Sequence, residues 1–187
     1  MHIAIIYGTA AAPGRLTAAM HRFQSCVVAA GVESGLVDLH AHPLEGADGR
    51  PVAQCSDAVR AAVDQLSQAD AVIGFVPIYR ASAPGVLKNL LDLTPLEALE
   101  NKPFAVVAMG GSDHHYLAAD ADLAPILTWF GAVSVPFRLY LRPASFAAGV
   151  LTEAASAEIA SYAHSFLDFT RRLEGLSVWP RPLAAPR

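Results

Sequence analysis

The 187-residue chain carries 13 Lys and Arg against 17 Asp and Glu, a formal net charge of −4. That balance argues against nucleic acid as its main partner, because phosphate binding wants a basic face. With 53% hydrophobic and 16% charged residues, it reads as one globular domain, of a size that buries roughly 70% of the unfolded chain's surface without staples.

Apolar runs of strand length alternate with helical patterns along the chain. His2–Tyr7 (HIAIIY) is continuously apolar, as a buried parallel strand requires, and ends at Gly8. Residues 15–30 predict a helix, with Leu16, Met20, Phe23 and Val27 spaced three or four apart. Strand character returns at 35–39, a Pro- and Gly-bearing loop runs to Val52, and 55–69 predicts a second helix. Residues 70–76 (DAVIGFV) form the central strand, stopped by Pro77. Pro84 is placed to open a helix over 85–91, where its missing N–H needs no partner. Pro103–Met109 (PFAVVAM) is a fourth strand, halted by Gly110 and Gly111. Residues 116–130 predict a helix with a kink or an unusual turn near Pro125. A fifth strand is expected over 133–141 and a closing helix over 151–173. The domain spans 1–175, and a Pro-rich tail occupies 176–187. Five strands, each followed by a helix, predict an α/β fold: a doubly wound parallel sheet with helices on both faces. No basic segment precedes the first apolar run, and no apolar stretch reaches the ~20 residues of a membrane span. Cys26 and Cys55, outside any CxxC or metal-like spacing, read as small buried hydrophobes of a reducing compartment. A cytoplasmic protein without a membrane partner is expected.

In such sheets ligands sit at the carboxyl ends of strands, near the switch in strand order. Three loops therefore matter. The first, 8–17 (GTAAAPGRLT), offers the hydroxyls of Thr9 and Thr17, the guanidinium of Arg15 and the backbone N–H groups of a helix start. A capped helix start beside a solvated arginine would use the same residues. Neither GxGxxG nor GxxxxGK[ST] is present, so a dinucleotide fingerprint or P-loop is not supported. The second, 77–85 (PIYRASAPG), is bracketed by prolines and carries Tyr79, which serves equally as a ring platform or as a cap on the core. The third, 110–116 (GGSDHHY), has paired glycines that let backbone approach a ligand. Asp113, His114 and His115 lack a third ligand at helical spacing, so no metal site is expected. His40 and His42 read as solvated, and no GxSxG elbow exists.

Read together, the loops resemble the NADPH-dependent FMN reductase family, and within it the reductases of two-component alkanesulfonate monooxygenase systems. Residues 69–92 (ADAVIGFVPIYRASAPGVLKNLLD) look like that family's strand, Pro-x-Tyr flavin loop and Gly-x-Leu-Lys-x-Leu-Leu-Asp helix. Residues 102–127 (KPFAVVAMGGSDHHYLAADADLAPIL) look like its Gly-Gly-Ser/Thr loop and the helix bearing Pro-x-Leu. The likeness covers roughly residues 1–140. It implies a flavodoxin-like fold and an NAD(P)H:FMN oxidoreductase, with NADPH or NADH as hydride donor and no indispensable catalytic side chain. It places the FMN phosphate at Thr9, Arg15, Leu16 and Thr17. The ring would lie against Pro77, Ile78, Tyr79, Arg80 and Ala81, and against Gly110, Gly111 and Ser112. Reduced FMN would pass to a partner monooxygenase. Apart from the resemblance, residues 85–92 and 116–130 are rich in Leu, Ile and Trp beyond what one buried stripe requires, so a homo-oligomer is expected through these helices after the second and third loops. The alternatives are a quinone or azo reductase with tightly held FMN, or a flavodoxin-like electron carrier without NAD(P)H activity. Two departures stand out: the family's basic residue near Ala11 and its hydroxyl residue at Leu16 are both missing. The family's two-component members also carry an inserted residue that makes a π-bulge in the helix after the Gly-Gly loop. A gapless register puts that position at Ala121, so a bulge without its ring is expected there.

Overall fold

The computed structural model describes residues 1–177, so the Pro-rich tail lies outside the described residues from Val178 onward. His2–Tyr7 forms β1, whose residues from Ile3 to Tyr7 are all buried. It pairs in parallel with β2 (Glu33–Asp38) on one side and β3 (Ala71–Pro77) on the other. β3 in turn pairs with β4 (Pro103–Met109). The order β2-β1-β3-β4-β5 is that of the flavodoxin-like doubly wound sheet, whose direction switches between β1 and β3. All residues of β3 are buried, which is why this strand reads as a continuous apolar run rather than an alternating one.

The helix α1 (Arg15–Ala29) and the closing helix α5 (Glu153–Leu173) cover one face. The helices α2 (Asp57–Gln68), α3 (Gly85–Leu93) and α4 (Ala118–Phe130) cover the other. On the first face the Phe23 ring meets Phe75 edge-on at 5.6 Å and Phe166 at 6.0 Å. All three are fully buried, and each such side chain contributes roughly 1.5–3 kcal/mol by leaving water. Hydroxyl caps start two of the helices: Ser56 Oγ accepts from Val59 N–H before α2, and Thr152 Oγ1 from Ala155 N–H before α5. Cys26 and Cys55 are buried and free, as expected.

Four expectations need correction. The fifth strand is two pieces, β5 (Val133–Ser134) and β6 (Leu139–Leu141), both pairing with β4. Pro136 has no N–H to give the ladder, and the Arg138 guanidinium bonds the Val135 carbonyl in the gap. Pro84 is the residue before α3 rather than its first, with an extended ψ of 143°. α4 starts two residues late, after a 3-10 turn at Asp113–His115. Finally, α4 has no π-bulge: Ala121 N–H donates to Leu117 C=O at 3.0 Å, the regular spacing of four. A short hairpin of β7 (Phe146–Ala147) and β8 (Val150–Leu151) went unread in the sequence.

Candidate functional site

The first two loops flank the switch point between β1 and β3. Gly8 N–H donates to Phe75 O at 2.9 Å, and a side chain at Gly8 would press on that carbonyl at 3.2 Å. Glycine lets the chain leave β1 against β3. Thr9 follows and is buried. Its hydroxyl accepts from Ala11 N–H at 3.1 Å and lies 3.3 Å from the Tyr79 hydroxyl of the second loop. His40, just past β2, holds the loop from outside through Nδ1 to Ala10 O at 2.9 Å. The loop then enters α1, where Gly14 N–H donates to Thr17 Oγ1 at 3.1 Å. The first helical bond is Ala18 N–H to Gly14 O. The N–H groups of Arg15, Leu16 and Thr17 therefore have no carbonyl of the helix to bond, which makes an anion-seeking start. Leu16 can offer only its backbone, because its side chain is buried. The Arg15 guanidinium sits over the Phe146 ring of the hairpin, 5.6 Å from its centroid.

The second loop begins on the ladder itself. Pro77 pairs with Met109, and Ile78 N–H donates to Met109 O at 2.8 Å. A tight turn follows, closed by Tyr79 N–H to Ser82 O at 2.9 Å and Ser82 N–H to Tyr79 O at 3.0 Å. Its two central residues, Arg80 and Ala81, have φ of 53° and 61°. Such turns take Gly or Asn because side chains strain there, at a cost on the order of 1–3 kcal/mol per residue. Strained backbone of this kind clusters where a ligand is met. The Tyr79 ring stands half out in solvent, 49% exposed. The Asp122 carboxylate of α4 ties the far end of the turn by accepting from Ala83 N–H at 3.1 Å.

The third loop leaves β4 beside the second. Gly110 N–H donates to Leu141 O at 3.1 Å, and the Tyr140 hydroxyl donates to Ser112 O at 2.5 Å. Arg142 Nη1 lies 3.5 Å from the Asp113 carboxylate. The two glycines prove unlike. A side chain at Gly110 would overlap the Tyr140 hydroxyl, whereas one at Gly111 would meet nothing within 4 Å. Only Gly111 keeps open space of the kind a ligand needs. His114 is exposed and His115 half-buried, and among the described residues no group of three His, Cys, Asp or Glu side chains gathers as a metal cluster.

The expected residues thus stand on three loops at the carboxyl ends of the adjacent strands β1, β3 and β4. Sequence reading missed four residues that hold them: His40, Asp122, Tyr140 and Phe146. His40 was read as solvated, although its half-buried ring is bonded. The other three act across gaps in the chain that spacing does not register.

A family model described as NADPH-dependent FMN reductase matches residues 1–145. The NADH-dependent FMN reductase SfnF of Pseudomonas fluorescens is 39% identical over 118 residues, 62% of this chain and 62% of that protein. An FMN reductase (NADPH) of Pseudomonas aeruginosa is 38% identical over 88 residues, 47% of each. The matched stretch is thus less than two thirds of either relative's length. A solved NADH:FMN oxidoreductase, in its apo form, superposes on 100% of this chain and 96% of its own, with a TM-score of 0.73 and 26% identity. The family match takes in all three loops together with the switch point they flank, and on that ground the chain belongs to the NADPH-dependent FMN reductase family.

Proposed function

We propose that the protein is an NAD(P)H-dependent FMN reductase that moves hydride from the nicotinamide of NADPH or NADH to FMN. The observation that carries this reading is the Thr9–Tyr79 contact at 3.3 Å. It joins the anion-seeking start of α1 to the strained, ring-bearing turn of the second loop. A ligand with a phosphate at one end and a flat heterocycle at the other matches that pair of features.

The residues present fit FMN. The N–H groups of Arg15, Leu16 and Thr17, with the Arg15 guanidinium and the Thr9 and Thr17 hydroxyls, would hold its phosphate. Pro77, Ile78, Tyr79, Arg80 and Ala81, with Gly110, Gly111 and Ser112, would hold its ring. When bound, FMN supplies the hydride-accepting chemistry. The chain's own part is to fix the turn and the Gly-Gly loop in place, to orient the ring and to keep water from it. No side chain in the three loops is assigned as an acid or base, because hydride transfer needs orientation more than proton transfer.

Three finer readings accompany this one. Reduced FMN passes on to a partner monooxygenase. The chain self-associates through α3 and α4, between which runs a groove of about 400 Å³ whose apolar side chains, Leu91, Leu96, Ile126, Trp129 and Phe130, are interleaved with the polar Lys88, Asp92 and Thr94. Trp129 is 53% exposed there. The protein works in the cytoplasm, in keeping with two buried, unpaired cysteines.

Mixing purified protein with free FMN and either nicotinamide tests the activity. Flavin-dependent nucleotide oxidation is expected, and its absence with both nucleotides overturns the reading. In titrations, Arg15→Ala is expected to weaken FMN binding by about 1–3 kcal/mol and to leave riboflavin, which has no phosphate, unaffected. Equal loss for both flavins would remove Arg15 from the phosphate site.

A further inference from the structure

We propose that Tyr140, which lies outside the three loops, is a positioning residue that sets how the third loop meets the flavin ring, an inference that rests on the FMN reading above. The Tyr140 hydroxyl donates to Ser112 O at 2.5 Å, across 28 residues of chain. Its ring is braced edge-on by Tyr116 at 5.8 Å. It reaches Ser112 only by passing over Gly110, where a Cβ would overlap the hydroxyl and lie 2.9 Å from Cζ. Gly110 and Tyr140 are therefore one device: the missing side chain of the first is the channel for the second.

The device has a directional consequence. A trans peptide points its C=O and the next N–H to opposite sides. No cis peptide occurs among the described residues. With Ser112 C=O turned onto Tyr140, the N–H of Asp113 is turned away from it. Neighbours of Tyr140 in β6 and just past it support the same loop: Leu141 O accepts from Gly110 N–H, and Arg142, the residue after β6, pairs with Asp113. Tyr140 differs from them in fixing the orientation of a peptide plane beside Gly111, the position that has open space. Burial raises the Tyr140 phenol above its ordinary range, with the Asp113 charge adding to the effect, so the hydroxyl remains a donor at neutral pH.

The test uses FMN and riboflavin as probes of the full-length protein, by titration and by the visible absorption band of the bound flavin. Tyr140→Phe removes the hydroxyl and keeps the ring. It is expected to weaken both flavins about 3- to 10-fold, the range of one hydrogen bond. The ratio of their affinities stays as in the wild type and the absorption band changes shape, while the melting temperature falls only as far as one lost hydrogen bond requires. Gly110→Ala reaches the same end by displacing the hydroxyl, and combining it with Tyr140→Phe should add less than the two losses multiplied. Wild-type binding of both flavins by Tyr140→Phe overturns the proposal. So does a loss confined to FMN, or weakened binding with an unaltered absorption band. A wild-type protein that binds neither flavin overturns the FMN reading along with it.

Discussion

The second and third loops leave neighbouring strands, yet they are held by opposite means. The second holds itself: two reciprocal backbone bonds close the turn, and Arg80 and Ala81 carry the strain of φ near 50–60°. The third has a glycine with open space around it and is held by others, namely Tyr140, the Leu141 carbonyl and Arg142. A loop that stores its strain locally is sensitive to what its own residues are. A loop held from β6 is sensitive to residues far away in the chain. That difference decides which substitutions matter where.

The largest effect is expected at Ala81. Ala81→Val puts a β-branched side chain where φ is already 61°. The strain should cost about 1–3 kcal/mol, read as a lower midpoint in urea with an unchanged slope. Gly111→Ala, on the third loop, meets open space and is expected to leave the midpoint nearly unmoved. Equal losses at the two positions would erase the contrast between the loops.

Next in size is Asp122→Ala, which removes the carboxylate that accepts from Ala83 N–H. A loss of about 1 kcal/mol is expected, as for one hydrogen bond at a partly exposed site. A titration should find flavin binding weakened as well, because the turn loses its outer anchor. Asp113→Asn is the smallest: the Arg142–Asp113 pair is 57% and 71% exposed, so stability should move by less than about 0.5 kcal/mol. The pH profile sharpens the same point. The folded-state pKa of Tyr140 is raised, so its contribution is complete below the ordinary tyrosine value of about 10 and fades as pH climbs through the raised one. Flavin binding that fell between pH 7 and 9 in the wild type but not in Tyr140→Phe would contradict this assignment.

The sheet was legible because its strands are buried on both faces and read as unbroken apolar runs. β1 and β4 match their expected bounds, and β3 differs by a residue at either end. The positions of the three loops, at the carboxyl ends of β1, β3 and β4, followed from the same strand pattern. Their internal geometry did not. Arg80 and Ala81 adopt a turn whose usual signature is Gly or Asn, so nothing in the residue types announces it. Thr9 and Tyr79 meet across 70 residues, and Ala83 and Asp122 across 39. Both contacts exist only once the sheet has assembled. The paired glycines were read as one feature, yet their surroundings differ: a side chain at Gly110 would overlap the Tyr140 hydroxyl, and one at Gly111 would meet nothing within 4 Å. The expected π-bulge at Ala121 rested on register alone, and the regular bond to Leu117 removes it.

The β7–β8 hairpin begins at Phe146, one residue past the end of the family match. Its ring lies against the guanidinium at the opening of α1. A free arginine side chain has on the order of 2 kcal/mol of rotamer entropy to lose when it grips an anion. Resting on an aromatic face, Arg15 has surrendered part of that freedom before any anion arrives, so it is preorganised. In the FMN reading, this hairpin outside the family match would set how poised the arginine is, while its Phe146 and Leu151 also pack against the core on the α1 face.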